Sequence, residues 1–236
     1  MPKGKEARDP VRRATEISKA VQKELDFDPQ VDAAGISVRS MNGHVALNGT
    51  VPSYPQYLQA AAAARRVQGV TGVHNHLRVD LPPADDRDDP MLTTAANNAL
   101  AMTVTVPGNV KAAASSGNVR LTGMVGNRFQ RDAAEQAVAG LVGVRGIADD
   151  LEIFTDVEAA DVTDRVQDAL DRYGLMAVDT DVSVEASDHT ITLTGHVRSW
   201  AEHAAVIDAA WRGAGVKDVR DYVVVAADPI GAVGGN

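Results

Sequence analysis

The sequence predicts an α+β protein built from three tandem small α/β sandwiches. Each runs helix–strand–strand–helix–strand, with two helices on one face of a three-stranded mixed sheet. Three observations carry this prediction. A leucine–polar–glycine triplet recurs as Leu47-Asn48-Gly49, Leu121-Thr122-Gly123 and Leu193-Thr194-Gly195. A glycine–valine pair follows each triplet at one fixed interval: Gly69-Val70, Gly143-Val144 and Gly215-Val216. Alternating apolar runs then open at Val73, Ile147 and Val219. A pattern held in register through the chain means that one small fold is used three times.

Each element can be justified in order. An amphipathic helix opens the repeat: Ile17, Val21 and Leu25 recur at helical spacing in the first copy, and Val162, Val166, Ala169, Leu170 and Tyr173 in the third. Ile36-Ser37-Val38 and Val182-Ser183-Val184 then alternate as strands. Turns containing Asn42-Gly43, Gly117-Asn118 or Asp188-His189 lead into second strands around Val45–Leu47, Val119–Leu121 and Ile191–Leu193. This is hairpin chemistry, because Asn and Gly tolerate positive φ. Ser53, Asn127 and Ser199 stand where the next helix begins and are expected to cap it. That helix carries Ala60, Ala63, Ala64 and Val67, or Ala134, Ala137, Val138 and Leu141, small enough to lie close on a sheet. The third strand closes the unit.

The glycines form two sets of structural positions. Gly49, Gly123 and Gly195 fall at the end of a buried strand, where a passing backbone or a bulge would exclude a Cβ. A backbone-lined ligand site is the alternative reading. Gly69, Gly143 and Gly215 make the second set, each leading into a valine.

Charge is unevenly spread over these units. The 236 residues carry a formal net charge of −9. Residues 11–80 form repeat one, and its span 11–79 holds eight basic against five acidic residues. Residues 81–90 are an acidic, proline-rich spacer. Residues 91–155 form repeat two, balanced at five against five, and residues 157–225 form repeat three, with six against thirteen. Residues 1–10 and 226–236 are expected to be flexible ends. Such polarity can orient the units or neighbouring copies.

The hairpin Val45–Ser53, the alanine-rich helix and the run Val67-Gln68-Gly69-Val70-Thr71-Gly72-Val73-His74-Asn75 together resemble the BON domain, the "bacterial OsmY and nodulation" module. The resemblance covers residues 11–225; repeats one and three carry it throughout, repeat two from Val110 onward. It implies a bacterial origin, a small α/β sandwich, a role in stress or envelope biology and affinity for phospholipid surfaces. Some members of the family are connected with small-cation binding. The resemblance brings no catalytic residues and no cofactor.

Other signals agree with a non-enzymatic chain. Absence of cysteine excludes disulfides and thiolate metal sites. No phosphate-cradling Gly-x-x-x-x-Gly-Lys-Ser/Thr motif and no Gly-x-Ser-x-Gly nucleophile elbow occur. A low isoelectric point, and no basic stripe interleaved with aromatics, argue against nucleic acid as a partner. The start, Met1 to Asp9, is charged with no apolar stretch behind it, so the expectation is a cytoplasmic protein. A processed start would instead fit the periplasm. No segment is apolar enough to span a membrane.

Candidate binding residues follow from these readings. Arg12, Arg13, Lys19, Lys23, Arg65 and Arg66 make repeat one the copy suited to anionic headgroups. Tyr54, Trp200 and, one position later, Phe129 sit near the starts of the second helices, where a ring can enter a lipid interface or fold over the helix as a staple. His44, His74 and His76 share the outward phase of the first sheet, as a three-imidazole metal site or as solvated side chains. Finally, residues 91–110 contain no charge. That absence predicts cover from another repeat or a second copy, hence a protein partner or homo-oligomer.

Overall fold

The structure, a computed structural model, describes residues 10–154, 168, 181–187, 189–213 and 215–225. The expected first helix of repeat three and both chain ends lie outside the described residues, as does Asp188 of its hairpin turn. The chain divides into two compact units, Met1–Asp86 and Arg87–Asn236.

The first unit contains α1 (Pro10–Phe27), a short 3-10 turn (Ala33–Gly35), β1 (Ile36–Met41), β2 (His44–Val51), α2 (Tyr54–Arg66) and β3 (Gly72–Val79). The strand order is β1-β2-β3, with β1 antiparallel and β3 parallel to β2. Ile17, Val21 and Leu25 of α1 meet Val45, Leu47 and Val51 of β2 and Ala60, Ala63 and Ala64 of α2 in one core. The helical and two-residue periods thus converge on the same face of the sheet. The opposite face is open.

The second unit repeats the plan. It holds α3 (Asp89–Met102), β4 (Lys111–Ser115), β5 (Asn118–Val125), α4 (Arg128–Ala139) and β6 (Gly146–Ile153), followed by β7 (Asp181–Ser187), β8 (Thr190–Val197), α5 (Trp200–Trp211) and β9 (Asp218–Val225). Both sheets have the order and directions of the first. In the third module Ile191, Leu193 and Val197 pack with Val206, Ala209 and Ala210 and with Val223 and Val225.

Two hairpins close with paired positive-φ residues, Asn42-Gly43 and Ser116-Gly117. This is the two-residue turn whose twist matches the strands it joins. The second turn is therefore Ser116-Gly117 rather than Gly117-Asn118, because Asn118 already pairs with Ser115 in the ladder. In every module the turn carbonyl then receives a backbone N–H from just before the third strand: Thr71 to Gly43 at 2.8 Å, Arg145 to Gly117 at 2.8 Å and Lys217 to His189 at 2.9 Å.

The helix caps differ between modules. Asn127 accepts from the N–H of Gln130, and Ser199 from that of Glu202. Both third-position side chains reach back, Gln130 to the Gly126 N–H and Glu202 to the Arg198 N–H, each at 2.7 Å. Ser53 occupies the cap position but its side chain makes no cap bond. Its reciprocal partner is engaged elsewhere, since Gln56 Oε1 accepts from the Asp32 N–H at 2.7 Å.

The uncharged stretch of repeat two has a local explanation. Leu92, Ala96 and Leu100 form the buried stripe of α3. Two of its neutral polar side chains serve β4: Asn97 donates to the Ala112 carbonyl and accepts from its N–H, while Thr93 Oγ1 accepts from the Ala114 N–H. Uncharged Thr and Asn are needed there because each must satisfy strand backbone from a half-buried position. Cover by another molecule is not required to account for them.

Candidate functional site

One tie recurs between the third strand and the helix that covers it. The fourth residue after each helix cap, Tyr57, Arg131 or His203, meets Asn75, Asp149 or Asp221. Asn75 Nδ2 donates to the Tyr57 carbonyl at 2.9 Å, Arg131 pairs with Asp149, and His203 Nε2 lies 2.9 Å from Asp221 Oδ2. The strand residue also accepts, through its other function, the N–H two positions on: Leu77, Leu151 or Val223. This half-buried polar contact fixes helix against sheet and is a structural device. The sequence reading missed it, because three different pairs of residue types fill the two positions.

The structural glycines are sharply constrained. Gly49, Gly123 and Gly195 have φ of 123°, 130° and 130°, a region in which side chains are strained. A Cβ on Gly49 would also overlap the Gly35 carbonyl oxygen, and one on Gly123 would lie 2.7 Å from the Asn109 carbonyl oxygen. The neighbour is the backbone entering the first strand, and no bulge interrupts the register there. Gly69, Gly143 and Gly215 also have positive φ, ending turns in which Val70, Val144 and Val216 donate back three residues.

The helix cations of the first module separate into two groups. Arg12, Lys19 and Lys23 are exposed along one stripe of α1, opposite buried Ile17, Val21 and Leu25, with Arg13 exposed beside them. Arg12 pairs along the helix with Glu16 at 3.2 Å. Arg65 is exposed at the end of α2. Arg66 has an internal partner: its guanidinium donates to Asp28 at 2.6 Å and to Glu24 at 3.0 Å, tying α2 to the end of α1. Asp28 is buried and accepts further bonds from Gln59 and the Gln30 N–H. Gln59, Arg66 and that N–H together hold its carboxyl below the usual range, and the pairing raises the Arg66 guanidinium in turn.

The rings at the helix starts are folded down rather than projecting. Tyr54 stacks on Tyr57 with centroids 5.6 Å apart, and Trp200 meets His203 edge-on at 5.1 Å. Arg128 takes the equivalent place in the second module and lies over the Trp211 ring of the third, 4.7 Å from its centroid. Phe129, by contrast, is 68% exposed.

His44, His74 and His76 lie in a row on the open face of the first sheet. Successive ring centroids are 5.7 and 6.3 Å apart. The rings follow one another instead of surrounding a point. Among the described residues no three His, Asp or Glu side chains are placed to hold a metal ion. The three-imidazole metal reading therefore gives way to a row of exposed, stacked rings.

The comparisons with known proteins place this geometry. The family model described as "BON domain" matches residues 13–80, 88–153 and 158–227. Osmotically-inducible protein Y of Escherichia coli (strain K12) is 29% identical over 137 residues, covering 54% of this chain and 66% of that protein. The match thus spans just under two thirds of that relative. Outer membrane lipoprotein DolP of Haemophilus influenzae is 31% identical over 152 residues, covering 61% of this chain and 78% of that protein. A structure of CdsD, a structural protein of the type III secretion system of Chlamydia trachomatis, covers 89% of this chain and 92% of that one at 14% identity. Its TM-score of 0.25 is too low to bear on fold or function.

One expectation is corrected by these findings. The cytoplasmic placement rested on the charged start of the sequence, and similarity to an outer membrane lipoprotein overturns it. Among the described residues, no helix is long and apolar enough to cross a membrane. BON domains are non-catalytic. Three family matches over three sheets of one topology lead to a single conclusion: the chain belongs to the BON domain family.

Proposed function

We propose that this chain is a bacterial stress-associated binding protein that attaches weakly to anionic phospholipid through its first module. The observation that carries this reading is the outward stripe of α1, where Arg12, Lys19 and Lys23 stand opposite the core. Arg13, also exposed on α1, adds a fourth cation. Arg66 is left out, because Asp28 and Glu24 hold it. Each cation near an anionic surface contributes about 1 kcal/mol, so these few give reversible attachment. The relatives, one named as osmotically inducible and one as an outer membrane lipoprotein, support a stress and envelope setting.

Flotation with phosphatidylglycerol vesicles at low and physiological salt tests the reading. The chain should float at low salt at about pH 8, where imidazoles are ordinarily neutral, and Lys19→Glu with Lys23→Glu should abolish it there. Failure to float under either condition rejects the proposal.

A second reading is protein assembly through the second module. Met102, Val104 and Phe129 are exposed there, at 84%, 99% and 68%. A sedimentation series would show a concentration-dependent increase in mass if this surface pairs. A constant monomer mass, with no partner recovered by pull-down, counts against it.

A further inference from the structure

Among the described residues, the open face of the first sheet carries basic side chains, and its strands carry no acidic one. Arg39 on β1, His44 on β2 and His74, His76 and Arg78 on β3 are all exposed there. None of the three strands contains a carboxylate. The helices cover the other face. Asp32 precedes the sheet and accepts from the Ala34 N–H, and Asp80 follows β3 beyond Arg78. The other two open faces carry carboxylates instead. Arg120 pairs with Asp150 in the second module, with Lys111 and Glu152 exposed on the same strands' outward side. Glu185 and Asp218 accompany Arg220 in the third.

The same face has a seat at its centre. The ladder places Arg39, Ala46 and His74 side by side across the three strands. Ala46 offers only a methyl group between Arg39 and His74, whose strands lie roughly 10 Å apart across two strand spacings. The matching middle-strand residues are Arg120 and Thr192, so the second module fills this place with a long side chain. His44 and His76 flank His74 at ring-stacking distance. Imidazole is the side chain whose charge ordinarily changes between about pH 5 and 8, and three rings in a row repel one another once protonated. An anion above them relieves that repulsion.

We propose that this face is a phosphate-binding site that strengthens in acid, with the anion seated over Ala46 between Arg39 and His74. His44 and His76 extend the cationic row, which favours ligands that present several phosphate groups. The site is separate from the α1 stripe, and charge reversal at Lys19 and Lys23 should leave it intact.

The test is calorimetric titration of the full chain with sodium tripolyphosphate at low salt, at about pH 8 and about pH 5.5. A parallel arm uses phosphatidylglycerol vesicles on the Lys19→Glu/Lys23→Glu background. Binding should tighten roughly tenfold in acid in at least one arm, although the ligand's own charge falls there. A gain with tripolyphosphate alone identifies soluble phosphate as the source; a gain with vesicles alone identifies headgroups. The triple variant His44→Gln, His74→Gln, His76→Gln should lose the acid gain while keeping its melting temperature, since all three rings are exposed. Arg39→Gln should weaken binding at both pH values. Affinity that is independent of pH in both arms, or an acid gain that survives the triple variant, overturns the proposal.

Discussion

His203 Nε2 lies 2.9 Å from Asp221 Oδ2, and the two positions they occupy are joined in all three modules. The strand residue is the pivot, accepting a backbone N–H with one oxygen and meeting the covering helix with its remaining polar function. Removing it strands a helix partner and a strand amide together. Asp149→Ala should therefore cost about 1–3 kcal/mol, the usual penalty for orphaned half-buried polar groups. Urea unfolding of the full chain, compared with exposed Asp150→Ala, measures the difference.

Replacing Gly49 tests the close approach in the first module. Gly49→Val must force a β-branched residue to φ 123° and push its Cβ into the Gly35 carbonyl. The expected loss exceeds about 3 kcal/mol, enough to unfold a module of this size. Gly140→Ala is the control, because nothing lies within 4 Å of its added Cβ. Circular dichroism melts should show an early transition for the first variant and an unchanged profile for the second.

Acid should weaken the fold through two carboxylates. Asp28 is held down by Gln59, Arg66 and the Gln30 N–H, and Asp89 by the N–H groups of Gly117 and Ser116. A folded value below the ordinary 3.8 means the unfolded chain binds protons more readily. The contribution is full above that value and disappears as pH falls through the folded one. Glu135 has the opposite sign, because burial and the nearby Asp149 and Asp132 raise its carboxyl. It favours folding below the ordinary 4.5, and that benefit is lost as pH rises through its folded value. Glu135→Gln should thus stabilise the second module at neutral pH, whereas Asp28→Asn should flatten the acid limb of the first. Melting temperature against pH for each variant checks both directions.

Arg128 over the Trp211 ring joins the second and third modules within one unit. A double-mutant cycle of Arg128→Gln and Trp211→Leu should return a coupling of about 0.5–1 kcal/mol. Arg128→Gln alone should shift the tryptophan emission. Strictly additive stabilities would show that the contact contributes nothing in solution.

Much of the fold was legible because its determinants are periodic or stereochemically demanding. Ile17, Val21 and Leu25 mark α1 by spacing, and Gly49, Gly123 and Gly195 recur where only a missing Cβ fits. The site residues were harder to read. Arg66 looked like a headgroup ligand because its partner Asp28 is distant in sequence, and only the packing of α2 against α1 brings them together. Asn75, Asp149 and Asp221 escaped notice since each partner is chemically different. Ser53 stood at the correct cap position, yet Asp32 draws Gln56 away from it. The uncharged stretch in α3 suggested an external cover; Thr93 and Asn97 spend their polarity on β4, while Thr94 and Asn98 are exposed. Cellular location depended on where the chain begins, a feature with no bearing on packing.

Every described sheet closes within its own repeat, with the third strand parallel to the second across one helical crossover. As the polypeptide emerges from the ribosome, the stretch from Val79 to Lys111 takes roughly 2–6 s to appear, while small mixed domains fold in milliseconds to seconds. The first sheet therefore has time to form before the competing strands of its neighbour are synthesised. Sequential emergence would thus keep β1–β3 from being exchanged for their counterparts in the later copies.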